Sequence, residues 1–429
     1  MNPSGAATVS PTLRLSMADT MTSNRPGRLH YAWIVAIAGG VATFCGLGLA
    51  RFAFGMLLPS MSASLGLDYG QSGVLGFAYL IGYLVAVALV PVVLRRFGNR
   101  VTTSASLVLI AVTMLGIALG QDFLLLWLLY ALTGVGSGGV VVPVMSLASH
   151  WFHPSHRGLA AGILMSGPGL GVIISGFVVP KLTPMAGFET WQLGWLLFAA
   201  ISAGVAVLAF ALLRDRPENI GADPFGRAME DHTAIRVEMS RRTKLRMLIH
   251  MGLIFALYGA TYMAYVTFIV TSMVDTYGMS PEDAGRLWAG FGFLSLFSGI
   301  LFGSISDRLG RRAGMALAFG VLATAYLLVG FGAWMPGLSL SILLFGLAAW
   351  SIPVIMSASA GDYFGPAGAA NALAALVFVF SAGQAAGPLL AGYLADLTGD
   401  FTLGYAAAGL IALLTILLIR ALRPPQVSG

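Results

Sequence analysis

The sequence predicts an all-α membrane protein of twelve transmembrane helices in two pseudo-symmetric six-helix bundles, and three observations predict it. The chain has 429 residues, 58% of them hydrophobic and only 9% charged, where a soluble domain carries about 25% charged residues. Apolar runs of about 20 residues, enough to cross a hydrocarbon core of ~30 Å, recur from Tyr31 to the end. Threaded alternately through a membrane, these runs leave 20 of the 23 Lys and Arg residues on one side. Lipid offers the backbone no hydrogen-bond partner, so each run must close its own bonds as a helix. Apolarity on all sides excludes the alternation of a barrel strand.

The first 30 residues are polar, rich in Ser, Thr and Pro, and lack the apolar centre of a signal peptide. They read as a disordered cytoplasmic tail, 1–30. Spans follow near 31–58, 72–94, 101–120, 123–148, 158–180 and 191–213, forming a first bundle over 31–213. A polar inter-bundle loop fills 214–245. Spans near 246–272, 281–304, 313–333, 337–358, 367–393 and 401–422 form a second bundle over 246–423, and 424–429 is a short cytoplasmic tail. The basic residues of one side are Arg14, Arg25 and Arg28; Arg95, Arg96 and Arg100; Arg157; eight between Arg214 and Arg246; Arg308, Arg311 and Arg312; and Arg420 and Arg423. Lys181 falls on the other side, while Arg51 and Arg286 lie within spans. Both termini are therefore expected in the cytoplasm. The net charge of +6 is a topology signal, not a nucleic-acid surface. The single cysteine, Cys45, excludes an internal disulfide framework. Twenty-one Arg against two Lys fits a GC-rich bacterial genome, hence an inner-membrane location.

A gapless offset of 212 residues superposes the two halves. It carries Ser60-Met61 onto Ser272-Met273, Gly66 onto Gly278, Gly73 onto Gly285, and LRRFGNR at Leu94–Arg100 onto SDRLGRR at Ser306–Arg312. Parallel repeats of this kind mark a two-bundle transporter with its site between the halves near the membrane midplane.

GSISDRLGRR, from Gly303 through Asp307, Arg308, Gly310, Arg311 and Arg312, resembles the Gly-x-x-x-Asp-Arg-x-Gly-Arg-Arg signature of the major facilitator superfamily. With twelve spans and a central loop, the resemblance covers essentially the whole chain. It implies alternating access and a monomer. It also implies a cytoplasmic latch formed by Asp307, Arg308 and Arg312, the alternative being a loop that is basic for topology alone. The first-half copy departs from the signature, with Pro91 in place of Gly and Arg95 in place of Asp, so no carboxylate latch is expected there. GLARFAFGMLLPSM, YGATYMAYVTFIV and AGQAAGPLLAGYLADLTG, in spans 1, 7 and 11, resemble a poorly characterised bacterial branch of the superfamily.

Arg51 is the leading site candidate. An arginine inside a bilayer costs several kcal/mol unless it faces protein or water, and a guanidinium matches a carboxylate bidentately. It either contacts an anionic substrate or snorkels to an interface as a structural residue. All 17 Asp and Glu residues fall in loops or at span ends. A buried cation without a buried anion points to an anion that arrives with the substrate. Tyr258, Thr261, Tyr262 and Tyr265 share one face of span 7, and Tyr130, Thr133 and Ser137 one face of span 4. Such hydroxyls either line a cavity or bond between helices. Tyr79 and Tyr83 in span 2, Trp350 and Ser351 in span 10, and Ser381 and Gln384 in span 11 are further candidates.

Gly167 and Pro168 in span 5, with Gly387 and Pro388 in span 11, mark either gating helices or close packing. Asp283 and Arg286 are expected to pair at the start of span 8 as an outer-mouth contact. His150, His153 and His156 have no acid or cysteine beside them, and no metal or cofactor is expected. No paired carboxylates or nucleophile motif indicates an enzyme. The expected partners are the bilayer and a small-molecule substrate, with a proton or counter-anion if transport is coupled, and no nucleic acid. The function expected is movement of a small organic anion across the inner membrane by symport, antiport or uniport. The alternatives are export of amphipathic compounds and a non-transporting sensor or assembly role.

Overall fold

The computed structural model describes residues 30–226, 240–332 and 334–422. The tails expected over 1–30 and 424–429 lie outside the described residues, His30 apart, as does 227–239 of the inter-bundle loop. Among the described residues, eleven helices are long and apolar enough to cross a membrane. One of them, Tyr69–Leu119, runs for 51 residues but breaks at Gly98, where φ is 74° and ψ 175°. It therefore supplies two spans, 69–97 (α2) and 99–119 (α3), which brings the number to the twelve expected. The others are α1 (Tyr31–Leu65), α4 (Phe123–Trp151), α5 (His156–Lys181), α6 (Thr190–Leu212), α7 (Arg241–Asp275), α8 (Pro281–Leu309), α9 (Arg311–Gly330), α10 (Met335–Gly365), α11 (Asn371–Thr398) and α12 (Thr402–Ala421).

Helix starts follow local chemistry. Asp68 accepts the Gln71 N–H at 2.6 Å while Gln71 accepts the Asp68 N–H at 3.1 Å, a reciprocal cap that opens α2. Asp122, Ser240 and Ser280 cap α4, α7 and α8 through single side-chain acceptors. The α8–α9 turn at Gly310 has φ 89° and ψ 153°, close to its mate Gly98. Backbone with that φ suits glycine, since a Cβ would be crowded.

The 212-residue repeat is visible in the packing. A Cβ on Gly73 of α2 would sit 2.5 Å from the Pro388 carbonyl of α11, and one on Gly285 of α8 would run into the Gly176 carbonyl of α5. Gly285 is the offset mate of Gly73, and Pro388 that of Gly176. The α2–α11 and α5–α8 interfaces are thus copies of one contact. Within the bundles, Arg100 donates from Nε to the Phe210 carbonyl at 2.6 Å, and its mate Arg312 donates to the Arg420 carbonyl. Each arginine satisfies a carbonyl at the exposed end of its bundle's last helix, where the helix offers no partner of its own.

The start of the inter-bundle loop stays on the first bundle. Asp215 accepts the Arg100 N–H at 2.8 Å, and the Trp151 indole donates to the Arg214 carbonyl at 2.9 Å. Phe225 packs its ring against His30, Trp33, Phe152 and His156.

Candidate functional site

The site begins with a local irregularity in α1. From Phe44 to Phe52 the helix is π-helical, between regular segments Tyr31–Thr43 and Ala53–Leu65. Such wide turns leave carbonyls poorly paired and mark functional positions. The neighbouring α5 is broken at the same level. It stops at Leu164, passes through Met165 at φ −102° and ψ 10°, and restarts at Gly167. Pro168 near the restart sits where its missing N–H is not needed. The Thr43 hydroxyl fills the gap, lying 2.5 Å from the Leu164 carbonyl and 2.9 Å from that of Gly40. A Cβ on Gly167 would clash with Thr43 and the Phe44 amide, and Gly48 meets Gly171 backbone to backbone. Glycine therefore lets the wide part of α1 lie directly on the break in α5.

Arg51 occupies the last turn of that segment, 7% exposed, and is the one charged residue among the buried described residues. Its Nη2 donates to the sulfur of Met263 in α7 at 3.3 Å, a weak acceptor. Its Nε is buried without a partner. The guanidinium lies 5.3 Å from the Phe52 ring and 5.8 Å from the Tyr79 ring. Met263 is the 212-residue mate of Arg51, so the two meet across the pseudo-two-fold axis that relates the bundles. Trp350 of α10 stands on the second-bundle side, 5.4 Å from Phe52 and 5.6 Å from Tyr262.

The hydroxyl stripe of α7 divides. Tyr258 donates to the Ala349 carbonyl, and Tyr265 bonds Ser341 at 2.7 Å, both inside the second bundle. Thr261 bonds the Leu257 carbonyl of its own helix at 3.0 Å. Tyr262 alone of the four keeps a buried hydroxyl with no partner. In α4, Thr133 donates to Thr113 of α3 at 2.8 Å, and Ser137 to the Thr133 carbonyl at 3.0 Å. Tyr130 packs its ring against Phe54, Tyr79 and Trp195. Gln384 is buried in α11 beside Gly259 of α7. Gly387 packs α11 onto Ala260 of α7 within the second bundle, while the Pro388 carbonyl meets Gly73 of the first.

The basic motif is bonded through Arg311 as well as Arg312. Asp307 pairs with Arg311, which also donates from Nε to Asp362 of α10 at 2.6 Å. Arg308 is exposed. The turn at Gly310 is the reason for the Arg311 pairing: it starts α9 at Arg311 and brings that side chain back over the end of α8. Arg312 is tied to α12, as described above. Asp283 and Arg286 do pair, at 3.0 Å, but with side chains 55% and 73% exposed and on one helix. They join no element to another.

The contact that does join the bundles at that mouth was not anticipated. Asp396 of α11 accepts the Tyr69 N–H at 2.9 Å and the Gly70 N–H at 2.7 Å, capping α2 from the opposite bundle. The Tyr69 hydroxyl donates to Asp275 of α7 at 3.2 Å. Tyr69, Asp275 and Asp396 line a pocket of about 350 Å³ with Pro59, Ser62 and Leu67. The signal was an acid in the span 11 motif at a helix end; its partner, an N-terminus 326 residues away, leaves no trace in sequence.

Two six-helix bundles enclosing a lone buried charge at their axis have the architecture of a secondary transporter. A family model described as uncharacterised MFS-type transporter YbfB matches residues 43–420, and the chain belongs to that family. It is 24% identical over 392 residues to a hexuronate transporter of Bacillus subtilis (strain 168), covering 88% of this chain and 91% of the relative. It is 24% identical over 403 residues to a putative tartrate transporter of Agrobacterium vitis, covering 87% of each. The crystal structure of nucleoside transporter NupG superposes with a TM-score of 0.71 at 15% identity, over 92% of this chain and 99% of that one.

Proposed function

We propose that the chain moves a small organic anion across the membrane by alternating access, with Arg51 as the group that holds the anion. The observation that carries this reading is a buried guanidinium at the pseudo-axis whose contacts are a thioether and aromatic rings, with no ion pair to a carboxylate among the described residues. Keeping such a charge out of water is costly unless it is paired. An anionic substrate supplies the missing partner at the step where it is bound. The relatives named for hexuronate and tartrate movement support an anionic class.

The cross-bundle contacts described above, from Arg51–Met263 through Gly73–Pro388 and Gly176–Gly285 to Asp396–Gly70, run from the middle to the arginine-poor end. The helical glycines Gly158 and Gly162 of α5 and Gly361 of α10, at the arginine-rich end, meet no such partner from the other bundle. With the arginine-rich end in the cytoplasm, as the charge distribution favours, this is an inward-open arrangement in a bacterial inner membrane. Arg311, joined to Asp307 and Asp362, holds α8, α9 and α10 together in that state.

The test is counterflow by purified protein in liposomes with carboxylates and neutral amphiphiles. Arg51→Ala should reduce carboxylate flux by about 100-fold, the scale of removing one partner of a buried charged contact, while the thermal transition is retained. Flux of neutral compounds indifferent to this change would remove the anion reading and favour export of amphiphiles.

A further inference from the structure

We propose that the anion is a monocarboxylate with a planar aromatic or otherwise apolar body, in preference to a dicarboxylate or a polyhydroxylated acid; this rests on reading Arg51 as the anion site. Charge gives the first argument. Arg51 is the sole charged residue buried among the described residues, so a second carboxylate would enter without a cation.

The wall gives the second. Phe52 and Tyr79 flank the guanidinium, and Trp350 stands against both Phe52 and Tyr262. First-bundle rings therefore flank the charge and meet a second-bundle ring through Phe52, and a flat apolar body packs against such rings in offset or edge-on geometry.

Hydrogen-bonding capacity gives the third. Tyr258, Tyr265, Ser341, Thr133 and Ser137 have committed their hydroxyls to other helices or to backbone carbonyls. Of the Arg51 guanidinium and the α7 hydroxyl stripe, Arg51 Nε and the Tyr262 hydroxyl are the buried donors left without acceptors. A carboxylate, with two oxygens and about four acceptor positions, can take both. The several hydroxyls of a sugar acid would find few replacement partners among hydroxyls already committed elsewhere.

The experiment is counterflow in liposomes by the full chain, with benzoate, glucuronate, tartrate and uncharged benzyl alcohol, in the native protein, Arg51→Ala and Tyr262→Phe. Expected are exchange of benzoate, reduced about 100-fold by Arg51→Ala, and a half-saturation raised about tenfold by Tyr262→Phe at near-native maximal rate. Glucuronate and tartrate should need at least about 100-fold higher concentration. Exchange of glucuronate or tartrate in preference to benzoate, still lost in Arg51→Ala, overturns the substrate class and leaves the anion reading standing. Exchange of benzyl alcohol unaffected by Arg51→Ala, or no exchange of any carboxylate, overturns both.

Discussion

At the scale of the residue, Arg51 separates binding from stability. Replacing even a paired buried charge by apolar side chains is often neutral or stabilising by about 1–4 kcal/mol, and an unpaired one has no partner to lose. Arg51→Met should therefore hold or raise the thermal transition of the detergent-solubilised protein while abolishing anion flux. A lowered transition with flux intact would make the arginine structural. Met263 gives a companion prediction. Met263→Leu keeps the volume but removes the sulfur that competes for the guanidinium, and anion half-saturation should fall about twofold, since a weak acceptor contributes only a few tenths of a kcal/mol. Arg51 was legible in the sequence because a charge inside an apolar run is conspicuous. The hydroxyls were legible only as faces. Tyr258 and Tyr265 find their acceptors 91 and 76 residues away, and periodicity cannot show whether a polar face looks at a cavity or at the next helix. In the basic motif three guanidiniums compete for Asp307, and the turn at Gly310 decides among them.

At the scale of the element, the interesting piece is the start of α2. Its N1 and N2 amides bond Asp396 of the other bundle, and its N3 amide bonds its own Asp68. The positive end of the helix thus holds a carboxylate across the interface, a charge-assisted contact stabilising closure by roughly 1.5–3 kcal/mol per bond. Asp396→Ala should open this mouth. In a Cys45→Ala background, a cysteine introduced at the buried Ser72 should then react with a membrane-impermeant maleimide at least about tenfold faster. Unchanged labelling would show that the glycine contacts alone keep the mouth shut. Those contacts carry their own prediction: Gly73→Val would place branched carbons on the Pro388 carbonyl and should speed labelling at the same position. Overpacking of this kind costs about 1–3 kcal/mol.

At the scale of the molecule, composition, run length and charge distribution were enough to read twelve spans and two halves, because a bilayer permits few solutions. What they could not show is the π-helical turn of α1 laid on the break in α5, since both runs remain apolar throughout. Sidedness can be read directly. Gly162, in open space on α5, changed to cysteine in the Cys45→Ala background should react with the impermeant maleimide in inside-out vesicles and stay protected in intact spheroplasts. The reverse pattern would invert the orientation that the arginines favour.

The meeting of Arg51 with Met263 also bears on how a duplicated chain can acquire a charge at its centre. A position on a two-fold axis faces its own copy. Had both halves kept arginine there, two cations would oppose each other at contact distance, a repulsion of about 4 kcal/mol for charges 4 Å apart at an effective dielectric near 20. One half could carry the charge only if the other gave it up. The repeat is accordingly unlike at the axis, where arginine faces methionine, while Gly73 and Gly285, away from it, are alike.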